Sequence, residues 1–543
     1  MRRSVVAPVA VVGFAVAVGG WLLQRGVDRT ENMYLKVRLF QEVVDRVESS
    51  FVDEVDRGSL YNAAIGGLIE DLGDPYSSFM EAEDFEDLRI QGIEGDYGGV
   101  GLEVIDRNGW VTVVSPIPGG PGGRAGIRAG DQFFEIEGQA ADTMTSDDAV
   151  ALLRGQPGTP VSVRILRPGV EEPIPFTLTR EVIQLKAVPF AVLLEDSIGY
   201  VPLRSVIETS AEELAATVDS LRGEGLRGLL LDLRNNPGGL LEQGIEVSDH
   251  FLSAGQAIVE TRGRAVGQNA TYSARHPDRY QGLPVVVLIN AGSASASEII
   301  AGALQDHDRA ALVGESTFGK GLVQSLFRLS GGNVLRLTTA RWFTPVGRSI
   351  NKEHPGPRFA EGAPEFLALT GQFVGPPDLE GRPTYESDAG RTLLGGGGIT
   401  PDLWVAPETL SPSEQGAVRR LYQQAGAFSV ALFNYAVRYV RDHPDVEIGF
   451  ELAEDDLSAF YRALPEWDLT VDRDDFRGAR RFIRYHLERE IALQAWGERG
   501  QFLQELRNDR QVAVALDLLR RSASPDELLT VVDSAREVAQ EGP

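Results

Sequence analysis

Two segments of the chain carry residue types that could perform nucleophilic chemistry. In the first, the apolar run Val285–Ile289 is followed by small residues, among them Ser293, Ser295 and Ser297, and then by a helical pattern. A small-residue turn between a strand and a helix can present a hydroxyl and free backbone N–H groups at one point, as acyl transfer requires. The same residues also fit a tight turn whose last serine caps the helix. Composition alone leaves these two interpretations equal.

The second segment carries Lys320 between Gly319 and Gly321, among apolar neighbours. Lysine side chains normally lie in water. If this one is buried, its charged form is disfavoured and its pKa falls, which makes it a candidate general base for a serine. No histidine occupies a comparable setting. Taken alone, the segment favours a simpler interpretation, a loop lysine whose ammonium group reaches solvent.

A different chemistry fits part of the same segment. Gly314, Gly319 and Lys320 have the spacing of a phosphate-binding loop, and Asp232 follows an apolar strand as a magnesium-holding aspartate does. However, Gly321 stands where Ser or Thr must coordinate the metal, the aspartate precedes the loop, and strand-like residues follow it. ATP binding is therefore disfavoured.

The bulk composition narrows the remaining functions. A chain of 543 residues is too long to form one ordinary hydrophobic core. Its net charge of -27 repels nucleic acid, and no basic patch stands out in the sequence. The chain has no cysteine, and its six histidines lie scattered, without metal-ligand spacing. We expect several domains, no cofactor, no metal site and no nucleic-acid partner.

The amino terminus predicts a cellular location. Arg2 and Arg3 precede an apolar run from Ser4 to Leu23, which is long enough for a membrane-spanning helix and has no clear signal-peptidase site. Positive charge keeps its end of such a helix in the cytoplasm. We therefore expect an uncleaved anchor and a single-pass inner-membrane protein, with the catalytic part in the periplasm or otherwise outside the cytoplasm.

Periodicity predicts the elements that must position the two segments. Helical spacing of apolar residues predicts helices over 34–51 and 60–72, and β-branched runs between 97 and 180 predict a small β module with one helix from Ser146 to Leu153. Strands then alternate with helices, which predicts an α/β sheet. The predicted elements are strand 199–203, helix 210–222, strand 228–233, helix 240–251, strand 284–289 and helix 297–305. After about Pro407 the pattern is helical and charged to the end.

Together the two segments resemble the carboxyl-terminal processing peptidases, the tail-specific serine proteases of family S41. The motifs are Ser-Ala-Ser-Ala-Ser-Glu at 293–298 and Gly-Lys-Gly at 319–321, with glutamine four residues beyond the lysine. Further motifs agree at 74–79, 231–239, 337–345 and 398–402, so the resemblance covers about Val37 to Val405. It implies an α/β serine-protease core of the ClpP/crotonase-like kind, with an inserted β-rich PDZ domain and helical amino- and carboxyl-terminal segments.

The resemblance also implies roles for individual residues. The family's nucleophile falls on Ser295, its base on Lys320, and the glutamine that positions the lysine on Gln324. The backbone N–H groups of Gly239 and Ala296 match the family's oxyanion hole. The implied reaction is hydrolysis of a peptide bond through an acyl-Ser295 ester, with Lys320 activating water in the second step.

The β module resembles the PDZ domain that these proteases carry. In that resemblance Gly99, Val100, Gly101 and Leu102 offer backbone N–H groups to a substrate's terminal carboxylate, and a neighbouring strand pairs with its last residues. The implied partners are proteins or peptides with accessible, unstructured C-termini, and the chain could also form a homo-oligomer or bind an adaptor. A small β domain that only packs against the protease is the plainer alternative.

We therefore divide the chain into an anchor or signal (1–29), a helical segment (30–85), a PDZ domain (86–180), a protease core (181–406) and a helical extension (407–543). Two features depart from the family pattern. The stretch 351–397 is an insertion that we expect to be a surface loop shaping or covering the site, and the extension carries no motif. The rival function is a PDZ-based scaffold with a silent protease fold. It predicts loss of Ser295, Lys320 or the glycine turn, and all are present.

Overall fold

The computed structural model describes residues 33–540 except 91, 92, 94, 108, 118, 143, 168, 169, 171 and 353–364. The anchor predicted within 1–29 lies outside the described residues. No helix of the described chain is long and apolar enough to cross a bilayer. This finding corrects the predicted location, because it leaves a single-pass inner-membrane protein with an external catalytic part without support.

The described chain forms two compact units. The smaller unit holds residues 33–82 and 324–338, and the larger unit holds residues 83–323 and 339–540. The amino-terminal elements are α1 (Met33–Ser50), α2 (Arg57–Glu70), β1 (Ser78–Met80) and α3 (Ala82–Arg89). Asp56 caps helix α2, because its side chain accepts a hydrogen bond from the Ser59 N–H at 2.8 Å. Asp74 holds the turn before β1 by accepting from the Ser77 hydroxyl at 2.6 Å.

A small antiparallel sheet forms the β module. Its elements are β2 (Asp96–Gly99), β3 (Leu102–Arg107), β4 (Trp110–Pro116), α4 (Pro121–Ala125), β5 (Gln132–Ile136), β6 (Gln139–Ala140), α5 (Ser146–Leu153), β7 (Pro160–Leu166), β8 (Ile174–Thr179) and β9 (Glu181–Gln184). The strand order is β3-β4-β5-β7-β8, β6 pairs with β5, and β2 pairs separately with β9. Strand β3 is therefore an edge strand of its sheet. Val111, Phe133 and Val161 fill the core of the module.

Strands and helices then alternate along the chain. These elements are β10 (Val192–Leu193), β11 (Ile198–Pro202), α6 (Ser210–Gly223), β12 (Gly228–Asp232), α7 (Leu241–Asp249), β13 (Ala257–Gly263), β14 (Ala270–Ser273), β15 (Val285–Ile289), α8 (Ala296–Asp306), β16 (Ala311–Gly314), β17 (Leu322–Arg328) and β18 (Val334–Phe343). In the smaller unit, Ser78 of β1 lies opposite Arg336 of β18, and β17 pairs with β18. In the larger unit, Thr261 of β13 lies opposite Trp342.

The last part of the chain is first β and then helical. Its strands are β19 (Phe366–Leu367), β20 (Phe373–Val374), β21 (Thr384–Glu386), β22 (Thr392–Leu394) and β23 (Leu403–Trp404). Its helices are α9 (Pro412–Leu421), α10 (Ala425–Asp442), α11 (Glu454–Ala463), α12 (Arg473–Gly478), α13 (Arg480–Glu505), α14 (Arg510–Arg520) and α15 (Pro525–Gln540).

A six-stranded sheet of order β10-β11-β12-β15-β16-β23 forms the centre of the larger unit. From β11 onward neighbouring strands are parallel. Every residue of β12, β15 and β16 is buried, as expected for a parallel sheet covered on both faces. The carboxyl ends of these strands, Asp232, Ile289 and Gly314, therefore lie at one edge, where binding sites of open α/β sheets form.

The carboxyl-terminal extension covers one face of this sheet. Val512, Leu519 and Leu528 of its last helices share a buried cluster with Leu230 and Val286 of the strands. Helices α9 to α13 build a second apolar core. Because the cluster is continuous with the sheet, the extension is an integral part of the folded unit.

The stretch 351–397, predicted to be a surface loop, is partly core where the structure describes it. Two hairpins form, β19 with β20 and β21 with β22. Leu367 and Leu369 are 1% and 3% exposed and belong to the second core. The prediction of a surface loop was wrong for these hairpins and buried leucines, because strands of two or three residues leave no periodic pattern in a sequence rich in Pro and Gly.

Candidate active site

The small-residue turn after β15 holds Ser295 in an unusual backbone conformation. Its φ is 55° and its ψ is -116°, a region that a residue with a Cβ occupies only under strain. Ser295 directly precedes α8 and is half-buried. Strained positions of this kind concentrate at functional sites, where the surrounding structure enforces them.

The three serines of the turn differ in what their hydroxyls do. The Ser293 hydroxyl donates to the Leu233 carbonyl at 2.8 Å, and the Ser297 hydroxyl donates to the Asn236 carbonyl at 3.0 Å. Both residues are fully buried. The Glu298 N–H donates to the Ser295 carbonyl at 2.9 Å, and the Ser295 hydroxyl forms no side-chain cap hydrogen bond. Among the three hydroxyls, only that of Ser295 has no partner within the described residues.

A buried carboxylate joins this turn to the lysine loop. Glu298 is 0% exposed. Its Oε2 accepts from the N–H of Ser295 (2.8 Å) and of Lys320 (2.9 Å). Its Oε1 accepts from the Thr317 hydroxyl (2.5 Å) and from the Gly319 N–H (2.7 Å). Burial raises the pKa of Glu298, and these four hydrogen bonds oppose that rise by stabilising the carboxylate.

Lys320 is half-buried, in a loop that runs beside the turn carrying Ser293, Ser295 and Ser297. The Phe318 N–H donates to the Ser293 carbonyl at 2.9 Å, which lays the two segments against each other. On the other side, the indole Nε1 of buried Trp342 donates to the Lys320 carbonyl at 3.0 Å. The main chain of Lys320 is thus fixed at both its N–H and its carbonyl.

The glycine turn after β12 reaches the same place. A Cβ on Gly238 would lie 2.7 Å from the Ala296 nitrogen and 2.9 Å from the Ser295 Cβ, and one on Gly239 would lie 2.0 Å from the Val206 carbonyl oxygen. Both glycines have positive φ, 86° and 149°, so both space and conformation require glycine. Within the described residues, the N–H groups of Gly239 and Ala296 donate to no protein acceptor.

Two asparagines hold this glycine turn. The Asn236 Oδ1 accepts from the Gly238 N–H at 2.8 Å, and its Nδ2 donates to the Leu203 carbonyl at 2.7 Å. The Asn290 Oδ1 accepts from the Asn235 N–H at 2.8 Å. Strand-end asparagines therefore lock the turn to both neighbouring strands.

The side chains of Gln324 and Asp232 have partners of their own. Gln324 belongs to β17 in the smaller unit, where its Nε2 donates to the Thr338 Oγ1 at 3.5 Å. The segment after Lys320 is a strand, whereas a phosphate-binding loop leads into a helix. Asp232 accepts from the Tyr200 hydroxyl at 2.8 Å and from the Arg234 guanidinium, so its carboxylate is already occupied.

The four PDZ-type residues lie where β2 passes into β3. Val100 and Leu102 are 3% and 8% exposed, and Gly101 has a φ of 65°. The Val100 carbonyl accepts from the Gly122 N–H at 2.8 Å, which fixes the turn to α4. This turn feeds directly into edge strand β3.

Glu298 belongs to the serine motif at 293–298, but no role was predicted for it from the sequence. The signal was present, because Ser295 followed three residues later by glutamate at a helix start is the pattern of a capping box. In the structure, the glutamate half of that pattern forms and the serine hydroxyl stays available. The glutamate of the capping-box pattern could therefore have indicated a residue that fixes the main chain at this site.

Three family models match this chain. They are Peptidase family S41 at residues 197–357, PDZ domain at 112–167, and Activating protease CtpB N-terminal domain at 23–84. The matched regions end before the carboxyl-terminal extension.

Two relatives agree with these matches, and one solved structure is similar over part of the chain. The carboxy-terminal-processing protease of Bartonella bacilliformis is 42% identical over 324 residues, 59% of this chain and 74% of that protein. The carboxy-terminal processing protease CtpA of Bacillus subtilis is 35% identical over 343 residues, 63% of this chain and 71% of that protein. A solved photosystem II D1 C-terminal processing protease is 32% identical and covers 58% of this chain and 89% of its own, with a TM-score of 0.32.

Proposed function

The chain belongs to peptidase family S41, the carboxy-terminal processing serine proteases, and from that membership we propose that Ser295 is its nucleophile and Lys320 its general base. The fold class predicted from the sequence is confirmed: an S41 peptidase with a PDZ domain, mixed sheets and helical terminal segments. One observation carries the assignment of the nucleophile. Of the three serines, only Ser295 has a hydroxyl without a structural partner in the described residues, and it lies beside two N–H groups without acceptors.

The proposed reaction has two steps. The neutral amine of Lys320 takes the proton of the Ser295 hydroxyl as Oγ attacks the scissile carbonyl, and the N–H groups of Gly239 and Ala296 donate to the oxyanion that forms. Lys320 then protonates the leaving amine, and the carboxyl-side fragment departs. Water, deprotonated by Lys320, hydrolyses the ester and frees Ser295.

Three further assignments stay predictions. Gln324 is assigned the role of orienting Lys320. The divisions at 86–180, 181–406 and 407–543 also stay predictions, as does a homo-oligomer or adaptor.

We further propose that the PDZ domain captures the carboxyl-terminal tail of the substrate. Strand β3 is an edge strand and so has one side open for an added strand. The turn Gly99–Leu102 enters that edge, where its N–H groups would meet a terminal carboxylate. A peptide amidated at its C-terminus should therefore bind at least about tenfold more weakly than the free acid, since it lacks the charge that strengthens such hydrogen bonds. Equal binding of both peptides contradicts tail capture.

The mechanism is tested with the purified full-length chain. Its substrate is an unfolded protein with an apolar carboxyl-terminal tail, and its variants are Ser295→Ala and Lys320→Ala. Matched controls are Ser220→Ala on the exposed side of α6 and Lys186→Ala, an exposed lysine. We expect both site variants to be inactive and both controls to cut like the parent. Cleavage by Ser295→Ala overturns the nucleophile, and cleavage by Lys320→Ala overturns the base.

A further inference from the structure

Arg234 links the carboxyl-terminal extension to the catalytic edge of the sheet. Its Nη1 donates to Asp509 Oδ1 at 3.1 Å and to Gln511 Oε1 at 3.0 Å. Its Nη2 lies 2.9 Å from Asp509 Oδ2 and 2.7 Å from Asp232 Oδ2. The side chain of Arg234 is 16% exposed, so these bonds form largely out of water, where charge-assisted hydrogen bonds are strong.

The position of Arg234 makes this link relevant to catalysis. It is the second residue after β12, and five residues later the same turn delivers the N–H of Gly239. The two asparagines described above hold the middle of the turn. At its entry, Arg234 is held by Asp232 and by the extension.

A second contact of the extension acts on the Asp232 carboxylate through Tyr200. The ring of Phe502 stacks on that of Tyr200, with centroids 3.7 Å apart and planes 11° from parallel. The Tyr200 hydroxyl donates to Asp232 Oδ2 at 2.8 Å. Burial raises the pKa of Asp232, but the charge and hydrogen bonds of Arg234 outweigh this and hold the pKa below its usual value. Asp232 is thus ionised, and both of its partners, Arg234 and Tyr200, are contacted by the extension.

We propose that Asp509 and Gln511 are positioning residues for peptide-bond hydrolysis, which fix Arg234 and thereby the turn that carries the Gly239 N–H. The inference rests on the proposed Ser295 mechanism, in which that N–H stabilises the oxyanion. It assigns the extension an activating role that no motif in it reveals. Oxyanion donors act only within a few tenths of an ångström of the correct position, so a loosened entry to the turn lowers the rate of acylation.

The decisive variants separate the charge of Asp509 from its second task. Asp509 also caps α14 by accepting from the Val512 N–H at 3.0 Å. Asp509→Asn keeps a good cap and removes the charge, whereas Asp509→Glu keeps the charge and weakens the cap. The matched control is Asp517→Asn on the same helix, where the carboxylate is 62% exposed and pairs with Arg521 at 3.2 Å.

We would measure KM and kcat, with kcat expressed per active site as titrated with a fluorophosphonate. We would also measure inhibition by a peptide boronate, which forms a tetrahedral adduct, and thermal unfolding. For Asp509→Asn we expect kcat to fall on the order of tenfold and boronate affinity to fall in parallel, with KM unchanged, since the lost interaction acts in the transition state. Asp509→Glu should recover most of kcat, and Asp517→Asn should match the parent.

Two results overturn the inference. One is an unchanged kcat per titrated site in Asp509→Asn, even if the melting temperature falls, because the extension would then be structural only. The other is a lower kcat for Asp509→Glu than for Asp509→Asn, because activity would then depend on helix capping and not on the charge. Failure of the underlying mechanism is distinguishable, because it would appear as activity retained by Ser295→Ala.

Discussion

Glu298 Oε2 accepts a hydrogen bond from the backbone N–H of Lys320 at 2.9 Å. The same oxygen accepts from the N–H of Ser295 at 2.8 Å. One side chain on α8 therefore fixes the main chain of both the proposed nucleophile and the proposed base. Because the carboxylate is fully buried, water cannot replace either bond if the side chain changes.

We expect Glu298→Gln to lower kcat on the order of 100-fold, because catalytic groups displaced by about 1 Å lose that much. The amide nitrogen of glutamine cannot accept the N–H bonds that Oε2 accepts now. Each buried donor left unpaired should also cost about 1–3 kcal/mol of unfolding free energy. Steady-state kinetics and urea unfolding measure both effects.

Glu414→Gln is the matched control. Glu414 is also the third residue of a capped helix, α9, where it accepts from the Ser411 N–H at 2.8 Å, but it lies in the extension. It should lose a little stability and no activity. A Glu298→Gln enzyme with parental kcat would show that the brace is not needed.

Local patterns predicted most of the elements around the site. Val285–Ile289 is a run of five apolar residues between turn residues, and it forms the buried strand expected of it. The predicted helix Ser146–Leu153 has those bounds, with Thr145 as its cap. Both succeed because the signal and the structure lie within the same few residues.

Contacts between distant residues could not be predicted in this way. Arg234 and Asp509 are 275 positions apart, and nothing near either residue indicates the other. The hairpins of the insertion are too short to show periodicity, and the role of Glu298 depends on where the lysine loop lies in space. The roles of Ser295, Lys320 and Gln324 came from the resemblance and stay predictions.

The two flanking serines should matter for stability and not for chemistry. We expect Ser293→Ala and Ser297→Ala to lower the unfolding free energy by about 0.5–1.5 kcal/mol each, because each removes one buried hydrogen bond to a main-chain carbonyl. Both should retain activity in proportion to the folded fraction. Chemical denaturation and site titration test this. Complete inactivity of a well-folded Ser293→Ala or Ser297→Ala protein would contradict the choice of the middle serine.

The backbone strain at Ser295 predicts an inverted order of stability for glycine and alanine. At a φ of 55° alanine keeps the strain and glycine relieves it, so Ser295→Gly should be more stable than Ser295→Ala by about 1 kcal/mol. At Ser220, an exposed position inside helix α6, the order should reverse by about 1 kcal/mol. Thermal and urea unfolding of the four inactive or neutral variants make the comparison. The same order at both positions would argue against strain.

Glu315 should make stability depend on pH. Burial raises its pKa to about 7 from the ordinary 4.5, with the charge of Arg234 opposing. The folded state therefore binds this proton more tightly than the unfolded state, so the contribution of Glu315 is complete below pH 4.5 and is lost as the pH rises through 7. The loss is at most about 3 kcal/mol.

Glu315→Gln should gain stability relative to the parent at pH 8 and not at pH 5. Glu208→Gln, at an exposed position, should show no such difference. An equal effect of Glu315→Gln at both pH values contradicts the shift.

Gly239 is the position at which a single methyl group should be least tolerated. An alanine Cβ there would lie 2.0 Å from the Val206 carbonyl oxygen, and the φ of 149° already disfavours any residue other than glycine. The backbone must therefore move, and the N–H proposed to bind the oxyanion moves with it. We expect Gly239→Ala to lose at least about 100-fold in kcat and to unfold at lower urea concentration. Gly223→Ala, at the end of α6 with no atom within 4 Å of the added methyl group, should leave kcat unchanged and should not lower the urea midpoint. If Gly239→Ala retained parental kcat per titrated site, the oxyanion would have to be bound by groups other than the Gly239 N–H.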